Sequence, residues 1–261
     1  MSEIAADQVP DGWSQGASSY GDNFGVLTRA YAVDAVRLAG VTADSQLLDV
    51  AAGTGEATAA ARATGARVTS TDFAEGMVRE LEQRFAGDAD VAVMQMDGQH
   101  LTFDDASFDF GISMFGLMFF PDTAQGLREF HRVLRPGGRL AIGVWTADFA
   151  VSVLIAEALR RVLPTPPPPR PPTWATFSDN LESIVRAAGF ERVEIHEITH
   201  HWDFDDPAEF FRRTPVWSPA LAMLTDRLGP DLFEKAANAF GDAVREAGGI
   251  DATAPIAIAV R

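Results

Sequence analysis

The sequence predicts an α/β fold: an open seven-stranded, mostly parallel sheet with helices on both faces and a helical lid inserted near the C-terminal half. Three observations carry this. Short apolar runs alternate with helix-compatible stretches up to about residue 146, the signature of βαβ units with both sheet faces covered. The run Leu47-Leu48-Asp49-Val50-Ala51-Ala52-Gly53-Thr54-Gly55-Glu56 passes from buried strand to Gly-x-Gly turn to helix start, a loop where backbone lies open to a ligand. After Trp145 the alternation gives way to mainly helical segments around two further strands.

In chain order, a helix is expected at Gly25–Leu38, then strands at Gln46–Ala51, Arg67–Thr71, Val91–Met96, Phe108–Met114 and Arg139–Trp145. Helices at Ala57–Ala63, Met77–Phe85 and Thr123–Leu134 lie between them. Ala150–Val162 follows as an amphipathic helix. Pro164–Pro172 is nearly all proline and favours extended polyproline II. Ser178–Ala188 returns to helix, with Ser178 as its N-cap and Gly189 as its stop. Val193–Phe204 and Ala254–Val260 complete the strands, with helices at Pro207–Arg213, Pro219–Leu228 and Asp231–Ala247 between them. One domain over residues 1–261 is expected, with a core at about 10–146 and insertions at about 147–177 and 205–250.

Composition narrows the function. A net charge of −16 argues against binding nucleic acid or an anionic membrane, because phosphates reward Lys and Arg. With no cysteine, disulfides, thiolate metal sites and cysteine nucleophiles are excluded. No apolar run is long enough to span a bilayer, and Met1–Pro10 lacks a signal-peptide core. A cytoplasmic enzyme acting on a small molecule is the expectation, with its oligomeric state left open.

A Gly-x-Gly loop by itself marks ligand approach without naming the ligand. Asp72 ends the second strand, beyond which ligands sit in open α/β sheets, and its carboxylate can accept from both ribose hydroxyls. The plain alternative is a cap for the following helix. Asp97-Gly98 closes the third strand, where a carboxylate can accept from an exocyclic adenine amine or simply make a turn. Phe130-His131-Arg132-Val133-Leu134-Arg135-Pro136-Gly137-Gly138 is a helix stopped by a Pro-Gly-Gly turn. A dinucleotide fingerprint would need glycine at position 58, where Thr58 stands, and Glu56 would repel a pyrophosphate.

Taken together, Asp49-x-x-x-Gly53-x-Gly55, Asp72, Asp97-Gly98, the Phe108-Asp109 strand and the Arg132-to-Gly138 turn resemble the class I S-adenosylmethionine-dependent methyltransferases. The resemblance is to the broad branch similar to ubiquinone/menaquinone-biosynthesis methyltransferases, whose fold is Rossmann-like, and it covers about residues 10–146. It implies S-adenosylmethionine as cofactor. Asp49, Ala51, Ala52, Gly53 and Gly55 would face its methionine half, and Asp72 its ribose. Phe73 and Met77 would flank the adenine, and Asp97 and Gly98 would hold its edge. Ser113 would meet the methionine moiety. Tyr20, with Trp13, would close an N-terminal helix over the site, or else pack on the sheet edge.

Methyl transfer from a sulfonium is an in-line displacement that needs a general base only when the acceptor must lose a proton. His200 and His201 are the candidate bases; adjacent on one strand, they face opposite sides. His131 and His100 read as structural and surface residues, and no metal site is suggested. Trp174, Phe177, Trp202, Phe204, Phe210, Phe211 and Trp217 cluster around the insertions. They either line an apolar acceptor pocket or pack the lid onto the sheet. The acceptor implied is small and largely apolar or aromatic, quinone-like rings and specialised metabolites both fitting. A protein that binds the cofactor without transferring a methyl group is the alternative.

Overall fold

The computed structural model describes residues 8–165 and 175–261. Helix α1 (Pro10–Tyr20) runs through a π-helical turn (Gly21–Gly25) into α2 (Val26–Ala39). The core then alternates β1 (Gln46–Val50), α3 (Glu56–Arg62), β2 (Arg67–Asp72), α4 (Glu75–Arg84) and β3 (Val91–Gln95). Next come β4 (Phe108–Met114), a 3-10 turn (Leu117–Phe119), α5 (Thr123–Val133) and β5 (Leu134–Gly143). Helices α6 (Ala150–Val162), α7 (Ala175–Asp179) and α8 (Leu181–Ala187) precede β6 (Glu191–Trp202). Helices α9 (Pro207–Trp217), α10 (Pro219–Leu228) and α11 (Pro230–Ala247) lead to β7 (Ile250–Val260).

The seven strands lie in the order β3-β2-β1-β4-β5-β7-β6. Pairings from β3 through β5 are parallel, and β7 runs antiparallel to both β5 and β6. The order reverses between β1 and β4. Right-handed crossovers therefore carry α3 and α4 to one face and α5 to the other, and leave a crevice at the carboxyl ends of β1 and β4. β1 is central, so Leu47, Leu48 and Val50 are all buried, which is why it reads as a continuous apolar run. β3 is an edge, and its residues are half-buried or exposed. In α5 the buried Leu127, Phe130 and Val133 share one stripe, and the Asp122 side chain caps its start by accepting from the Gln125 N–H.

The expected strands and helices are present among the described residues, with three local differences. α1 was not legible from periodicity. It is held where it is because Gly76, at the start of α4, lets the α1 backbone approach closely: a Cβ there would meet the Ser14 carbonyl oxygen at 2.3 Å. The Pro-Gly-Gly segment lies inside β5 as an irregularity between the Phe108–Leu134 and Phe110–Arg139 pairs. Ser178 is not an N-cap; it lies within α7 and its hydroxyl donates back to the Ala175 carbonyl. The proline run at residues 166–172 and Trp174 lie outside the described residues.

Helices α6, α9, α10 and α11 pack together, α11 against α6 and α9, and α1 against α9. Their apolar faces join the main core through Phe210, Phe211 and Phe240. No helix among the described residues is long and apolar enough to cross a membrane.

Candidate active site

A cavity of about 370 Å³ opens at the carboxyl ends of β1, β2 and β4, at the reversal in strand order. Its floor is the β1–α3 loop. Ala51 takes φ 57° and Phe115, after β4, takes φ 61°, a left-handed backbone that costs a side-chain-bearing residue energy and clusters at functional sites. These two strained turns touch: a Cβ at Gly116 would fall 2.4 Å from the Ala51 Cβ. Gly53, at φ 57°, has no atom within 4 Å of a Cβ built on it, so the loop backbone there borders open space.

Four carboxylates line this cavity, those of Asp49, Glu56, Asp72 and Asp97, and no Lys or Arg does among the described residues. Asp49 is 1% exposed. Its Oδ2 accepts from the Thr58 hydroxyl at 2.7 Å, while its Oδ1 has no hydrogen-bond partner. Burial, with the nearby Asp72 charge adding to it, pushes the Asp49 carboxyl up to about 7. The Asp72 carboxylate accepts from the Gly53 N–H through Oδ2 and the Ala74 N–H through Oδ1, each at 2.9 Å. It thus ties the glycine loop to the start of α4, whose own cap residue is Ala74. Burial raises Asp72 to about 6 against these hydrogen bonds. Glu56 is held by Arg29 at 2.9 Å and Arg84 at 2.6 Å.

At the adenine end expected from the sequence, Phe73, Met77, Asp97 and Gly98 all line the cavity. Gly98 is pressed between Val50 and Phe120, at 2.6 and 2.5 Å from a Cβ built there. Asp97 also makes the turn, its Oδ1 accepting from the Gln99 N–H at 2.9 Å. Partial burial opposes its ionisation, but hydrogen bonds from Gln99 and His100 outweigh that and hold it below the usual value. Tyr20 and Trp13 of α1 line the opposite side, where Trp13 reaches Phe119 across the cavity with ring centroids 5.5 Å apart. Burial, then the Asp72 and Glu56 charges, push the Tyr20 phenol well above its ordinary range; it stays neutral.

Two expected contacts fall outside the lining. Gly55, at φ 89°, starts α3 and packs against α4, where a Cβ would meet Phe85 at 2.6 Å. Ser113 is fully buried and accepts from the Leu117 N–H; its successors Met114, Phe115 and Gly116 line the cavity instead.

The candidate bases are corrected. Neither His200 nor His201 lines the cavity. His200 pairs with Asp34 at 2.9 Å and lies edge-on to Tyr31 under α2. His201, on the other face, sits between Asp251 and Asp203 at the surface, and these carboxylates raise its pKa. The expected aromatic wall is also different. Phe177, Trp202, Phe204, Phe210 and Phe211 pack in the core and do not line the cavity; the Trp217 side chain lies outside the described residues. The wall is built from Phe115, Trp145 and Phe149, with adjacent rings stacked at 3.8 and 4.2 Å, together with Met114, Ile155 and Leu221. Trp145, at the end of an expected strand, carried the one legible signal for this wall, since strand ends meet ligands.

Residues 48–142 match the model of a family described as a methyltransferase domain. The demethylmenaquinone methyltransferase of Clavibacter sepedonicus is 44% identical over 110 residues, 42% of this chain and 45% of that one. That of Corynebacterium urealyticum is 38% identical over 149 residues, 55% and 58% of the two chains. The chain thus spans about half the length of the curated relatives it matches. Among solved structures, a putative methyltransferase from an antibiotic biosynthesis pathway of Anabaena variabilis aligns with a TM-score of 0.66 at 17% identity, over 88% of this chain and 96% of that one. The 4+2 cyclase SpnF aligns at 0.63 and 21% identity, over 98% and 96%. Phosphoethanolamine N-methyltransferase 2 of Haemonchus contortus, bound to phosphomonomethylethanolamine and S-adenosylhomocysteine, aligns at 0.60 and 16% identity, over 95% and 57%. At these identities the structural likenesses show the fold.

Proposed function

We propose, on the premise that the chain carries a class I S-adenosylmethionine-dependent methyltransferase domain of the ubiquinone/menaquinone branch, that it moves a methyl group from S-adenosylmethionine to a small, largely apolar or aromatic acceptor. The observation that carries the reading is the acid-only cavity with an unpartnered, buried Asp49 oxygen at its floor. A ligand with an ammonium and a sulfonium suits such a site, and a pyrophosphate does not.

Asp49 would hold the ammonium end, and the open backbone at Gly53 would lie beside the methionine chain. Asp72 would take the ribose hydroxyls on lone pairs left over after its two backbone bonds. Phe73, Met77 and Gly98 would enclose the adenine, with Asp97 at its edge. The cofactor supplies a methyl group on a cationic sulfur that leaves as a neutral thioether. What remains for the protein is alignment and exclusion of water, effects that reach about 7–11 kcal/mol in well-oriented systems. Trp13 and Tyr20 of α1 and the α6–α10 helices would act as the lid that supplies them.

The acceptor would lie against Met114, Trp145, Phe149, Ile155 and Leu221. Among the described residues no histidine lines the cavity, and Tyr20 is a neutral phenol. With the cavity carboxylates assigned to the cofactor in this reading, the acceptor would attack as a neutral amine, or as a phenol or carbon acid ionised near neutral pH. Quinol rings fall in that class, in keeping with relatives named for demethylmenaquinone. The family match covers Met114 and ends at residue 142, before Trp145, Phe149, Ile155 and Leu221.

Incubation with methyl-labelled cofactor and a panel of hydroquinones, phenols and amines tests the reading; labelled product from one class supports it. The second reading, a cofactor-binding protein that does not transfer the methyl group, is favoured by the fold's likeness to a chain named as a cyclase. Tight cofactor binding with no labelled product across the panel would select it.

A further inference from the structure

Thr58 is the residue that departs from a dinucleotide fingerprint, and its place in the fold gives it a second meaning. It lies in the first turn of α3, fully buried and outside the cavity lining. Its hydroxyl oxygen is 2.7 Å from Asp49 Oδ2 and 2.7 Å from the Ser70 hydroxyl oxygen. Ser70, on β2 and also fully buried, stands directly across from Asp49 in the β1–β2 pairing. A hydroxyl has one proton to donate. Donation from Thr58 to the carboxylate obliges it to accept from Ser70, so the two hydroxyls align in one direction, Ser70 to Thr58 to Asp49. Aligned donors reinforce each other in a low-dielectric interior and favour the charged acceptor. The Thr58 donation occupies Oδ2 and leaves Oδ1 over.

We propose that Thr58 and Ser70 form a two-hydroxyl relay that keeps Asp49 ionised and turned so that Oδ1 meets the positive end of the cofactor. Both are positioning residues that touch no cofactor atom, and together they set the pH below which the cofactor is released. This rests on the reading of the cavity as an S-adenosylmethionine site. The other titratable groups around Asp49 pull the opposite way. Asp72 on β2, Glu56 on α3 and Asp97 after β3 are acids, and α1 contributes the neutral Tyr20. Arg29 of α2 and Arg84 of α4 are engaged by Glu56, and β4 sets the uncharged Ile112 across from Asp49. The Thr58 hydroxyl is the larger of the contacts that favour the Asp49 charge, with the Thr58 backbone N–H, which Thr58→Val retains, as the smaller.

The test is calorimetric titration of the full chain with S-adenosylmethionine between pH 6 and 9, for wild type, Thr58→Val, Thr58→Ser and Ser70→Ala. Circular dichroism reports folding of each. In Thr58→Val the pH at which affinity falls off is expected to rise by about one unit, which is about a fivefold loss at the wild-type fall-off and approaches about tenfold below it. Thr58→Ser should restore the wild-type profile, and Ser70→Ala should move it the same way by a smaller step. A folded Thr58→Val with an unchanged profile, or one weakened equally at every pH, would overturn the relay. Should Thr58→Val not fold, Ser70→Ala decides by the same criterion. Failure of the wild type to bind would sink the cofactor reading itself, a result distinct from a wild type that binds and variants that match it.

Discussion

Asp49 carries an unusual burden for a carboxylate. Its folded value of about 7, and about 6 for Asp72, stand above the ordinary 3.8 because burial disfavours the charge. Between those limits the folded protein holds protons that the unfolded chain has given up. This contribution therefore stabilises the fold at low pH and is lost as pH rises through about 6 to 7. A cationic ligand has the opposite preference, because it needs the ionised form. From pH 8 to pH 5.5 the ligand-free contribution of these acids should raise Tm, while the Tm increase produced by S-adenosylmethionine should shrink. Thermal melts with and without ligand across that range check both signs, and a ligand-induced shift independent of pH would contradict them. Asp72→Ala acts differently. It strips the acceptor from the Gly53 and Ala74 N–H groups, at about 1–3 kcal/mol for the Ala74 donor left buried and unpaired and less for the half-buried Gly53 N–H. Denaturant titration should show the loss, alongside weakened ligand binding. Gly55→Ala should cost about 1–3 kcal/mol from its left-handed backbone and its collision with Phe85, read by the same titration.

At the scale of elements, the proposed acceptor side would depend on two helices outside the matched family region. Ile155 on α6 and Leu221 on α10 both line the cavity, so Leu221→Trp should raise KM for the acceptor several-fold and leave cofactor affinity within about twofold. Steady-state kinetics varying each substrate in turn separates the two effects. The β6 histidines belong to this scale as well. His200 fastens β6 to α2 through Asp34, and His201 fastens it to β7 through Asp251. His201→Ala should leave kcat unchanged within about twofold, and a large loss would return it to the chemistry. Strand periodicity showed that these two side chains face apart, and it could not show that α2 fills the space on the His200 side. The same limit explains the aromatic wall. Phe210 and Phe211 have the composition of a pocket, but they pack on Phe240 of α11, and Trp202 lies edge-on to Phe24, Tyr31, Trp145 and Phe149, whereas Phe115 and Phe149 sit in loops with no periodic signal.

For the molecule as a whole, an open, mostly parallel seven-stranded sheet with a ligand loop at the carboxyl end of β1 was legible in advance from the alternating apolar runs. The strand order and the antiparallel run of β7 were not, because they depend on pairing between segments distant in sequence. That Asp49, Gly53, Asp72 and Asp97 share one cavity was legible too, because each stands at or just beyond a strand end. Gly55 and Ser113 were less so, since packing against Phe85 and bonding to the Leu117 N–H depend on residues distant in sequence or on an unforeseen turn. The charged part of the lining is acidic, in keeping with the overall charge of −16, and at the Asp49 end it favours a positively charged ligand group. Calorimetry of S-adenosylmethionine against wild type and Asp49→Asn at pH 8 tests that preference most directly. Saturable binding to the wild type, weakened at least about tenfold in a folded Asp49→Asn protein whose own Tm is equal or higher, is the predicted result. Absence of binding to the wild type, or equal affinity in the two proteins, would contradict it.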